Sequence, residues 1–492
     1  MAGSYREKAM SGLSWTVASQ VGQQVMQFVI QMALARMLLP EEFGLVAMMS
    51  VFLTISNMIA QAGMGSAIVQ AKELSETDIR TTFTLNIGMG LFMALVLCLC
   101  APWISLFYRE PDLVTLLRVL SVSVFFQQLG GVHSSLLSRD LKYRDMMMAT
   151  LPALLISGTA GVVSAALGFG VWALVVQSIS SSIISSGLLW YRSDWSARFG
   201  FSLTSFRSIF PFGWKIAVNQ ILNSFFNQIY ILVIGRFYAT SEVAFYQRAK
   251  SFQNLAVVNL MSIFNRVAFP LLSRLNADDS TRMREAHYKF LGVIAWVVFP
   301  ALAVMASLSE PMISMLLTDK WLEAAPYLQV LCLIGIFMVV NIANANFMLA
   351  KGDAGLHLKL SIVSKLLVVT VLYFTYKMSI INMLWGQLLT IVIVNFLLLY
   401  FLNVRYGISL RRFFIMISGP SLASLAIYIA ALSAITNTQL NAFLELCVGG
   451  GVGLLVYWCG LFLFRGVFRE DIWAVKNTYP KLFQLIRLVR LV

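Results

Sequence analysis

Hydrophobic runs of about 20 residues recur along the whole chain with short linkers between them. A helix of that length just crosses the hydrocarbon core of a bilayer. Fourteen runs can be counted, near 13–36, 43–68, 81–103, 113–136, 146–168, 171–191, 213–236, 241–270, 287–308, 325–349, 357–377, 382–403, 413–435 and 441–464. A membrane β-barrel would instead show short alternating segments. The spacing therefore predicts an all-α polytopic membrane protein of about 14 transmembrane helices. Charged residues make up only 12% of the 492 residues, against about 25% in a soluble domain. Run 241–270 is the least apolar, interrupted by Arg248, Lys250 and Asn254. The longest internal linkers, 192–212 and 271–286, are too short to hold a folded domain.

Orientation follows from lysine and arginine, which are enriched in cytoplasmic loops. With the amino terminus inside, 25 of the 36 fall in inner segments and only 5 in outer loops. Both termini are thus expected in the cytoplasm. The basic tail 465–492, ending KLFQLIRLVRLV, is expected to lie along the inner membrane surface. The net charge of +14 is accounted for by these loops and needs no nucleic-acid partner. The first run is too long for a signal-peptide core and is expected to stay in the protein. Five cysteines, all in apolar runs, read as small buried hydrophobes.

The first run carries an unusual stripe. Gln20, Gln24, Gln27 and Gln31 fall at i, i+4, i+7 and i+11, on one helical face. An unpaired amide in hydrocarbon costs several kcal/mol, so this face should meet protein or water. Run 213–236 repeats the pattern. A shift of 200 pairs Gln20 with Gln220, Gln23 with Asn223, Gln27 with Asn227, Arg36 with Arg236 and Glu42 with Glu242. A shift of 211 aligns 119–140 with 330–351. These matches predict two parallel six-helix lobes, 1–200 and 201–405, followed by helices 13–14 at 406–464 and the tail. The amides Gln20, Gln24, Gln27, Gln31, Asn219, Gln220, Asn223, Asn227 and Asn259 are then expected to line a lumen between the lobes. The competing reading is that they bond helices to one another.

Charges inside the membrane are costly and are candidates for function. Arg248 begins a stripe with Ser251, Asn259, Ser262 and Arg266, while Lys250 points elsewhere and Lys215 sits near the inner end of run 213–236. Arg248, Lys250, Lys215 and Arg266 form the candidate cationic site, suited to a phosphate through charge-assisted hydrogen bonds. Arg36, Glu42, Arg236 and Glu242 flank the outer hairpins. They are candidates for an outer gate, or alternatively for helix capping. His133, His287 and His357 are scattered without ligand spacing, so no metal is expected. The glycines at 449–453 lack the lysine of a phosphate loop, so no nucleotide or other cofactor is expected.

The segments LARMLLPEEFGLVAM and GMGSAIVQ, followed by FYQRAKSFQNLAVVNLMSIFNRVAFPLLSRL, resemble the polysaccharide transporter family of the multidrug/oligosaccharidyl-lipid/polysaccharide (MOP) superfamily. Within it, the likeness is to Wzx-type flippases of the colanic-acid-exporter kind. The resemblance implies a MATE-like fold in two lobes with a cationic central cavity. It also implies movement of undecaprenyl-diphosphate-linked oligosaccharide across the bacterial cytoplasmic (inner) membrane for lipopolysaccharide, capsule or exopolysaccharide synthesis. Expected partners are that lipid-linked substrate, membrane lipids, and a polysaccharide polymerase and chain-length regulator. A small-molecule or drug antiporter of the same fold is the alternative, and a membrane glycosyltransferase or polymerase the remote one. A transporter rather than an enzyme is expected, because the outer linker 309–324 offers only Glu310, Asp319 and Glu323 as carboxylates.

Overall fold

A computed structural model describes residues 22–71, 73–278, 280–436 and 441–463. The described chain is helical throughout: α1 (22–37), α2 (Pro40–Gln61), α3 (Met64–Gln70), α4 (Glu76–Tyr108), α5 (Leu113–Arg139), α6 (Tyr143–Ala166), α7 (Trp172–Arg192), α8 (Leu203–Phe237), α9 (Thr240–Asp278), α10 (Ser280–Ser307), α11 (Ser309–Leu317), α12 (Ala324–Ala350), α13 (Ala354–Thr375), α14 (Ile380–Tyr406), α15 (Leu410–Thr436) and α16 (Ala442–Leu463). Among the described residues, 12 helices are long and apolar enough to cross a membrane. The two remaining predicted runs are the first, 13–36, of which residues 22–36 are described in α1, and α9. The polar insertions in α9 keep it out of that set, yet its 39 residues span about 58 Å at 1.5 Å each. That exceeds a bilayer core of about 30 Å.

Three boundaries differ from the sequence reading for local reasons. Run 43–68 is two helices, broken where Ala62 and Gly63 adopt left-handed backbone (φ 47° and 68°). The N–H of Ala62 closes α2 on the carbonyls of Met58 and Ile59. Linker 192–212 is half helix. Ser202 Oγ caps α8 by accepting the Ser205 N–H, so α8 begins at Leu203. The remaining connector is strapped to the start of α4: Gly200 N–H donates to Thr84 Oγ1, Ser202 N–H to Thr81 Oγ1, and Trp195 Nε1 to Glu76 Oε1. Linker 271–286 is helical on both sides of residue 279. The predicted tail, 465–492, lies outside the described residues.

The chain divides into two compact units, 1–247 and 248–492. In the first, α4 packs on α5, α6 on α7, α5 on α7, and α2 on α8. The second is built on α10, which packs on α12 and α15, with α14 on α12 and α16 on α15. The helix α13 packs mainly on α14 and turns Leu358, Ile362, Leu366 and Phe374 outward.

Helix α3 has only seven residues, so its last carbonyls need outside donors. Arg139, at the end of α5, donates from Nη1 to Ile68 O and Ala71 O, each at 2.6 Å. A charge-assisted bond contributes about 1.5–3 kcal/mol. Arg139→Leu is therefore expected to lower the thermal midpoint of the detergent-solubilised protein by several degrees, while Arg139→Lys recovers part of the loss.

Candidate functional site

Helices α2 and α8 run antiparallel within the first unit and touch near both ends. At one end Gly44 lies so close to the next element that a Cβ there would sit 2.0 Å from Thr240 O. Beside it, Gly235 faces Tyr108 and Met48. At the other end the left-handed Gly63 meets Gly213, and a Cβ on Gly63 would lie 2.0 Å from Gly213 O. Only glycine satisfies both that backbone and that approach.

Between the two contacts lies a cavity of about 680 Å³. Its walls are Ser50, Leu53, Thr54, Asn57, Met58 and Gln61 on α2, Ser123 and Gln127 on α5, Ser178 on α7, and Gln220, Asn223, Ser224 and Asn227 on α8. Eleven of these 13 side chains are hydroxyls or amides, and none is charged or aromatic. A set of bonds behind the wall holds it in place. The fully buried Gln128 donates from Nε2 to Asn57 Oδ1 at 3.1 Å, and Gln127 Nε2 donates to Ser182 Oγ at 3.3 Å. Asn219, one turn from Asn223, accepts its amide hydrogen bond.

Of the amides singled out from sequence, Gln220, Asn223 and Asn227 stand in this wall, with Asn219 next to it. Gln24, Gln27 and Gln31 are on α1 and are not part of it. Their helix packs through Ile30 against Gly158 of α6, and Gln23 donates to Thr150 Oγ1 at 2.8 Å. Gln20 lies outside the described residues, as do the side chains of Asn259 and Arg266.

Among the cations, Lys215 is exposed two residues beyond Gly213 and one turn before Asn219. Arg248 is tucked into the second unit with its guanidinium 5.6 Å from the ring centre of the fully buried Trp321. Lys250 is half-buried. In the hairpin set, Glu42 Oε2 accepts the Leu39 N–H at 2.7 Å, which caps α2. Arg236 lies 5.6 Å from the ring centre of Phe107 and is half-buried, as is Glu242, while Arg36 is exposed.

The α2 wall was not anticipated. Ser50, Thr54, Asn57 and Gln61 recur at i, i+4, i+7 and i+11, the same spacing as the glutamines of the first run. That periodicity was available in the sequence, but small hydroxyls are common in membrane helices and draw less notice than amides.

Residues 33–326 match the family described as polysaccharide biosynthesis protein. The chain is 27% identical over 461 residues to the teichuronic acid biosynthesis protein TuaB of Bacillus subtilis (strain 168), covering 92% of this chain and 95% of that protein. It is 26% identical over 431 residues to the lipopolysaccharide biosynthesis protein WzxC of Escherichia coli (strain K12), covering 86% of each. It is 29% identical over 321 residues to the succinoglycan biosynthesis transport protein ExoT of Rhizobium meliloti (strain 1021), covering 65% of each. Among solved structures, the inward closed conformation of the lipid II flippase MurJ superposes with a TM-score of 0.72 at 15% identity, covering 92% of this chain and 99% of that one. An inward-facing multidrug resistance MATE family transporter of the MOP superfamily superposes with a TM-score of 0.63 at 16% identity, covering 80% and 98%. The fold is that of MurJ and the MATE transporters.

Proposed function

This chain belongs to the polysaccharide biosynthesis protein family, and on that premise we propose that it is a flippase for undecaprenyl-diphosphate-linked oligosaccharide. It is a multi-span membrane transporter and not an enzyme. It carries repeat units from the inner to the outer face of the bacterial cytoplasmic membrane for surface polysaccharide synthesis, by alternating access of two lobes. Both termini lie in the cytoplasm, on the distribution of lysine and arginine. A polysaccharide polymerase and a chain-length regulator act next on the product.

The observation that carries this reading is the character of the cavity. A pocket for cationic or aromatic drugs would be lined by aromatic rings and carboxylates, and this wall has neither. Amides and hydroxyls at close spacing suit a ligand covered in hydroxyl groups. The diphosphate needs cations, which lie outside the wall: Lys215 just past Gly213, and Arg248, Lys250 and Arg266 on α9.

Deleting the gene is expected to remove the surface polysaccharide while undecaprenyl-diphosphate-linked repeat units build up on the inner face, detected by mass spectrometry of lipid extracts. Unchanged polysaccharide together with greater sensitivity to cationic drugs would refute the flippase and favour the antiporter.

A further inference from the structure

Gln128 is an amide at a place where the fold gains little from one. It lies on α5 with no exposed surface, pressed so close to Gly90 of α4 that a Cβ there would sit 2.6 Å from its Cγ. Its side chain makes one hydrogen bond, from Nε2 to Asn57 Oδ1 at 3.1 Å. The other end, Oε1, is buried with no hydrogen-bond partner. A neutral hydrogen bond returns less stability than a buried unpaired oxygen costs. An apolar side chain of the same length would therefore suit this interior at least as well. What the amide does is felt at Asn57.

Asn57 lines the cavity, and two bonds decide how its carboxamide is turned. Its Nδ2 donates to Leu53 O at 3.0 Å, and its Oδ1 takes the Gln128 proton. The Leu53 carbonyl is backbone and can only accept. Turning the Asn57 amide over would set oxygen against oxygen there and N–H against N–H at Gln128. In the orientation so fixed, the second N–H of Asn57 is left for an occupant of the cavity. Ser50 and Thr54, on the same face of α2, spend their protons on the carbonyls of Ala47 and Ser50, both at 2.7 Å, so of these three side chains only Asn57 keeps a donor. An amide held from behind has also lost beforehand the rotamer freedom that binding would otherwise remove.

We propose that Asn57 donates this N–H to an acceptor oxygen of the sugar in transit, and that Gln128 is the positioning residue that holds it ready. The inference rests on the flippase reading and adds which wall side chain binds and what keeps it oriented.

Gln128→Met keeps an unbranched side chain of similar length and removes the amide. Expressed in the deletion strain, it is read by surface polysaccharide, by the pool of lipid-linked repeat units in lipid extracts, and by the thermal midpoint of the purified protein. Synthesis of repeat units sets the flux, so a transporter that binds them less well carries the same flux only at a larger pool. The pool is expected to rise about tenfold, the worth of about one well-placed hydrogen bond. Polysaccharide should stay within about threefold of the parent, and the midpoint should equal the parent's or exceed it. Asn57→Ala should enlarge the pool by itself, and adding Gln128→Met to it should change the pool by less than about twofold, because a positioning residue acts through its partner. Gln128→Leu repeats the test with a different shape against Gly90. A lowered midpoint in both Gln128 variants would make the residue a packing element and overturn the proposal. An unchanged pool, or effects that multiply in the double variant, would overturn it too while leaving the flippase intact. Absence of any lipid-linked repeat accumulating in the deletion strain would remove the flippase reading itself.

Discussion

Export is expected to fall to background when Gly63 is replaced by valine, with the protein still present in the membrane at its normal level. Two costs add at this position. A left-handed backbone costs an L-residue about 1–2 kcal/mol, and a β-branched side chain is a marked outlier there. The new Cβ would also lie 2.0 Å from Gly213 O, against backbone that cannot rotate away. Overpacking of that kind adds about 1–3 kcal/mol. Together they disfavour the conformer in which α2 and α8 touch by about 2–5 kcal/mol, and each 1.4 kcal/mol is tenfold in population. A transport cycle that must pass through this contact slows by the same factor. Gly88→Val is the matched control, because a Cβ at Gly88 meets nothing within 4 Å and its backbone is ordinary. It should export normally. Equal export by the two variants would show that the Gly63–Gly213 approach is not part of the cycle.

Helix positions were legible from hydropathy because each run has to supply about 20 apolar residues. The exceptions have physical causes. The start of α8, residues 203–212, is polar enough to read as linker, and its helix is specified by the Ser202 cap. The break after Gln61 has no proline to mark it. Only the unusual backbone of Ala62 and Gly63 does, and the contact that requires it comes from Gly213, some 150 residues away in the chain. A long-range steric demand of this kind leaves no local periodicity. The amide stripe of α8 was readable because amides are rare in apolar runs. The direction in which the α2 hydroxyls spend their protons was not readable, since it depends on rotamers within the folded helix. Glu42 illustrates a further limit: its spacing from Arg36 fitted either a gate or a cap, and its bond to the Leu39 N–H is a capping bond.

The same two contacts yield a prediction about access. The wall residues of α2, 50–61, lie between Gly44 and Gly63, and those of α8, 220–227, between Gly213 and Thr240 at the start of α9. If these contacts are what closes the cavity at either end, breaking one should open it to one side of the membrane only. The test places a cysteine at Asn227 after the five native cysteines, two of them exposed, have been replaced. A membrane-impermeant maleimide is then added to whole cells. In the proposed orientation, with both termini cytoplasmic, the Gly44 end faces outward and the Gly63 end inward. Gly44→Leu, whose side chain would collide with Thr240 O, is expected to raise the labelling rate of Asn227→Cys at least tenfold, because the outward-open form is relieved of competition from closure. Gly63→Val is expected to lower it below the parent rate, since the cavity then rests open to the cytoplasm. An inverted pair of results would reverse the membrane orientation and leave the two-contact closure standing. Equal rates in all three backgrounds would mean that the reagent reaches the cavity by a path these glycines do not control, and the closure would have to be sought on other helices.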